Sequence, residues 1–61
     1  MLVSELIERI KKETKTIEDI ILETTWNDTN YKELIKLIDM VNFNCNMVKE
    51  IKKYQRGLLG E

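Results

Sequence analysis

Thr24-Thr25-Trp26-Asn27-Asp28-Thr29-Asn30 breaks this chain in two. Asn, Asp and Thr side chains bond to nearby backbone and so compete with helix, which makes them turn and cap residues. Upstream, apolar residues fall at Leu2, Val3, Leu6, Ile7, Ile10, Ile17, Ile20 and Ile21, and Thr14 and Thr24 complete the stripe. Steps of three and four are helical, and a strand would alternate. Glu5 with Arg9 and Glu8 with Lys12 are expected to pair across one turn of this helix. The polar run Lys11 to Thr16 is the weak point. Ile10 and Ile17 stay in phase across it, so one continuous helix over about 2–25 is expected. The alternative is a three-helix arrangement with a break near residues 12–16.

Downstream, Tyr31, Leu34, Ile38, Val41, Cys45 and Val48 follow a heptad seam, widened on one side by Leu37 and Ile51. The second helix is expected over about 30–55, with Asn30 or Asp28 as N-cap and Glu33 completing a capping box. Arg56-Gly57 reads as the stop, with Gly57 past the helix end, Leu58 as its apolar partner and a tail over 57–61. A loop of about four residues, 26–29, makes the helices antiparallel neighbours. At about 24 and 25 residues each helix is about 36–38 Å long, so the faces pair along their full length. The fold class is all-α, a single helical-hairpin domain over 1–61.

A chain of 61 residues buries too little surface to be more than marginal alone, and such chains are stapled by disulfides, metal or self-association. Cys45 is the only cysteine and histidine is absent, so neither an internal disulfide nor a zinc site is expected. Association remains. The second helix also has more apolar surface than one seam uses. Met40, Phe43, Met47 and Tyr54 form a further stripe more than about 100° away from Val41. A homodimeric four-helix bundle covers both. Alanine is absent as well, so the core is expected to be bulky and its helix axes widely spaced.

The candidate interaction or oligomer-interface residues are Met40, Phe43, Met47, Tyr54 and Trp26. Met-rich faces adapt to varied partners, and aromatic side chains anchor them. The same stripe read blandly is a homo-oligomer core, and Trp26 read blandly covers the open end of that core. Lys49, Lys52, Lys53 and Arg56, joined by Lys11 and Lys12, are candidate phosphate contacts. Cations in the last turns also complement the helix dipole, and Glu5 and Glu8 are expected nearby to blunt their field. Asn44 falls near the seam, where a polar side chain fixes register or oligomer state. Cys45, on the seam itself, is expected to be a structural core residue.

Ten basic and eleven acidic residues nearly cancel, which disfavours a nucleic-acid arm. No apolar run spans a bilayer, no secretory leader is recognised, and a lone thiol fits the cytoplasm, or the host cytoplasm for a virus. Abundant Ile, Lys and Asn hint at an A/T-rich genome. Without histidine, a phosphate loop or a second carboxylate pair to match Glu5 and Glu8, no catalytic, metal or cofactor residues are expected. The expected function is a small non-enzymatic protein-interaction module, a regulator or inhibitor. The alternatives are a nucleic-acid-binding dimer and a structural assembly subunit.

Overall fold

A computed structural model of the chain describes residues 2–59. Among these residues the chain is all-helical, with α1 at Val3–Glu23 and α2 at Tyr31–Leu59. The helices pack together as a hairpin. Glu13 meets Asn44 at mid-length and Val3 lies by Tyr54 at the open end, so they run antiparallel.

α1 is continuous, and the break considered near residues 12–16 is not formed. Two threonines carry the polar middle. The Thr14 hydroxyl donates to the Ile10 carbonyl at 2.8 Å, and Thr16 donates to the Lys12 carbonyl at 3.1 Å. Such back-bonding satisfies the hydroxyls at a slight cost to the helix, and the in-phase packing of Ile10 and Ile17 holds α1 together across the run. At the start of α1, the Glu5 carboxylate accepts the Leu2 N–H at 3.4 Å. The positive end of the helix dipole draws Glu5 there. The Glu5–Arg9 and Glu8–Lys12 pairs do not close. Among the described residues the ion pairs are Lys15–Asp19 at 3.2 Å and Lys36–Glu33 at 3.5 Å.

The turn is built by side chains. The Thr24 N–H and hydroxyl both donate to the Ile20 carbonyl, at 3.1 and 2.7 Å, and the Trp26 indole N–H donates to the Ile21 carbonyl at 2.8 Å. These bonds satisfy carbonyls that the end of α1 would leave open. Asn27 then starts the second helix. Its side-chain carbonyl accepts from the Thr29 N–H at 2.8 Å and the Asn30 N–H at 3.3 Å. Its backbone carbonyl accepts from Tyr31 at 3.0 Å. The capping role therefore sits on Asn27, not on Asn30 or Asp28. Asn30 instead ties the loop, donating its amide to the Thr25 carbonyl and accepting from the Asn27 N–H. Glu33 turns to Lys36, so the expected capping box is not formed.

α2 runs on through Gly57 to Leu59, past the expected stop. Glycine weakens a helix interior but blocks nothing, and a Cβ added at Gly57 would meet no atom within 4 Å. The contact expected of the Leu58 side chain, and Gly60 and Glu61 of the expected tail, lie outside the described residues. At 21 and 29 residues the helices are unequal, and with Val3 by Tyr54 α2 continues about 1.4 turns past the start of α1.

Ile7 and Ile17 of α1 are buried, with Ile10, Thr14 and Ile21 half-buried beside them. They face Leu34, Leu37, Val41, Val48 and Ile51 of α2, with Asn44 buried in their midst. Tyr31, Ile38 and Cys45 are exposed, which corrects the expected seam and the expected core role of Cys45. The contact line is turned by about 60° around α2, at about 100° per residue. Leu37, Asn44 and Ile51 take the places of Tyr31, Ile38 and Cys45 there, a line with one more aliphatic side chain and one buried amide. One apolar row of α2 is left on each side of it.

Candidate interaction surfaces

On the first side, Met40 and Phe43 wall a hollow with Glu13, Asp39 and Asn44. Met47 and Tyr54 wall a second hollow with Val3, Leu6, Glu50 and Ile51. The expected stripe therefore does share one face of the hairpin, and α1 extends it. Met40 is 46% exposed, Phe43 63% and Tyr54 67%. Met47 is half-buried. Carboxylates of Glu13, Asp39 and Glu50 rim this face. Leu6, Glu13 and Ile20 recur every seven residues on α1, and that spacing was the sequence signal for the α1 contribution.

Trp26 is not brought to this stripe. It sits at the turn, half-buried, with its N–H committed to Ile21. Trp26 thus stays at the turn end of the hairpin, while Tyr54 lies toward the opposite end.

On the second side, Tyr31, Ile38 and Cys45 recur every seven residues along α2, all exposed. Toward the open end this row enters a groove with Thr14, Cys45 and Val48 in its floor. Lys11 and Lys15 of α1 and Lys49 and Lys52 of α2 line it, with Glu18 the one acid. The structure thus divides the candidate phosphate contacts. Lys49 and Lys52 join Lys11 and Lys15, whereas Lys53 and Arg56 are exposed outside this groove. Lys12 lies with Ser4, Glu5, Glu8 and Arg9 on another surface of α1. Glu5 and Glu8 are therefore not among the residues that line the basic groove. Lys15 was missed because its role appears only once α2 lies alongside it.

Among the described residues, no group of three or more His, Cys, Asp or Glu side chains is placed to hold a metal ion. No described helix is long and apolar enough to cross a membrane. No protein-family model matches this chain, and no curated protein or solved structure aligns with it significantly.

Proposed function

We propose that the chain is a non-enzymatic protein-interaction module, and that its Met40/Phe43/Met47/Tyr54 face docks a second protein chain. The observation that carries this reading is the exposure of that face beside a very small core. Among the described residues only Ile7 and Ile17 are buried apolar side chains. The accessible surface is 5161 Å² for 7.3 kDa. A compact monomer of that mass exposes about 4,200 Å². The excess is close to the roughly 800 Å² that each partner buries in a standard interface.

The first occupant to test is a second copy, which would complete a homodimeric four-helix bundle. The proposed setting is the cytoplasm, supported by a lone exposed thiol at Cys45. The nucleic-acid reading has less support, because Lys53 and Arg56 do not join the other lysines in one groove.

Light scattering over a concentration series, on wild type beside Met40→Glu/Phe43→Glu, tests the proposal. The expected result is a wild-type dimer and a helical variant monomer. A folded wild-type monomer would remove the second copy as occupant and leave a different protein for that face. A dimer that survives the double substitution sinks the assignment of this face.

A further inference from the structure

The groove on the opposite side of the α1–α2 seam carries a separate inference. Its two rims have the same sign of charge. Lys11 and Lys15 stand one turn apart on α1, and Lys49 and Lys52 one turn apart on α2. Among the described residues Lys11, Lys49 and Lys52 make no ion pair, while Lys15 is held by Asp19 at 3.2 Å. The floor between the rims is apolar in character. Val48 and Cys45 contribute directly, and the polar groups of Thr14 and Asn44 that also line it are already committed to the Ile10 carbonyl and the Glu13 carboxylate. Toward the turn, exposed Ile38 and Tyr31 continue the row of Cys45 along α2, each seven residues from the last.

We propose that this groove binds an amphipathic helix of a partner protein, one with acidic residues flanking its apolar stripe on both sides. Charge complementarity selects the flanks, as charges bordering the apolar seam of a coiled coil select its partner. The seven-residue recurrence of Tyr31, Ile38 and Cys45 selects a helix for the stripe, because knobs at that spacing fill holes of a facing helix. The row from Tyr31 to Lys52 is about 32 Å long, which matches about 21 residues of partner helix. A nucleic-acid strand would use the lysines and leave Ile38 and Tyr31 uncovered, so the helix is the better occupant. This site is independent of the Met/aromatic face, and the two can be occupied together.

The test uses the full chain and a fluorescein-labelled designed helix of about 21 residues, with a leucine stripe flanked by glutamates. The same peptide with lysine flanks and a single-stranded oligonucleotide serve as competitors. The glutamate-flanked peptide should bind, and salt should weaken it. Lys11→Glu/Lys49→Glu/Lys52→Glu, checked for helix content by circular dichroism, should bind it about tenfold or more weakly. That variant should gain affinity for the lysine-flanked peptide, an exchange that misfolding could not produce. Met40→Glu/Phe43→Glu should bind the acidic peptide as wild type does, whatever its oligomeric state. The inference is overturned if the acidic peptide does not bind, or if the lysine reversal leaves its affinity unchanged. It is equally overturned if the Met40/Phe43 variant loses the peptide, or if the oligonucleotide displaces it and binds more tightly.

Discussion

Asn44 is 8% exposed and lies among aliphatic side chains, with its amide donating to a Glu13 carboxylate oxygen at 3.2 Å. The bond joins the middle of α1 to the middle of α2. It explains why Glu13 sits near the apolar stripe and why the polar run of α1 is tolerated opposite a buried amide. The buried amide fixes register because any slip of one helix leaves it unpaired, at a cost of about 1–3 kcal/mol. It also stabilises less than an aliphatic of similar volume would. Asn44→Leu is therefore expected to raise stability by about 1 kcal/mol, read as the urea midpoint. The same variant should broaden the distribution of oligomeric states seen by light scattering. A lowered midpoint would show that the bond to Glu13 outweighs the apolar gain.

Among the elements, α2 depends most on its length. Its last turn extends past the start of α1, where intrinsic helix propensity weighs most in whether it forms. Gly57 is the weak residue there, and it carries no left-handed backbone that would favour glycine. Gly57→Ala is expected to stabilise the protein by up to about 1 kcal/mol. If the chain instead turned out of the helix at Gly57, alanine would be strained there and the substitution would destabilise. The melting temperature separates the two by its sign. α1 shows the contrasting case, in which the packing of Ile10 and Ile17 carries a polar run through mid-helix.

The whole molecule is a rod, 49 × 15 × 15 Å, with a radius of gyration of 14.8 Å. A globular chain of this length has about 10.5 Å. A rod one helix pair wide has almost no interior, and both of its broad faces carry exposed apolar rows. Mass action then predicts a melting temperature that rises with protein concentration, because a partner that binds only the folded chain stabilises it. Calorimetry across a hundredfold range of concentration checks this. A melting temperature independent of concentration would mean that the hairpin stands alone, and the proposed second copy would be withdrawn.

The sequence by itself determined the two helices, the turn between them and the grouping of Met40, Phe43, Met47 and Tyr54, and it favoured a continuous α1 over a break near residues 12–16. All of these follow from periodicity and from side chains acting on neighbouring backbone, which are local physics. Two further features were decided only by the tertiary structure, and a third, the cap, by local competition within the turn. The heptad Tyr31 to Val48 was legible, but Leu37 and Ile51 stood beside it and allowed two neighbouring contact lines. Packing against α1 chose the more aliphatic one and left Cys45 outside. The cap moved to Asn27 because three Asx residues in one short turn compete for the same N–H groups, and spacing does not rank them. The lysine groove was legible only in part: Lys11 was grouped with Lys49 and Lys52, but Lys15, more than thirty residues from them, was not. Charges that far apart along the chain meet only when two helices are laid side by side, and the angle at which the seam sets them decides which side they share.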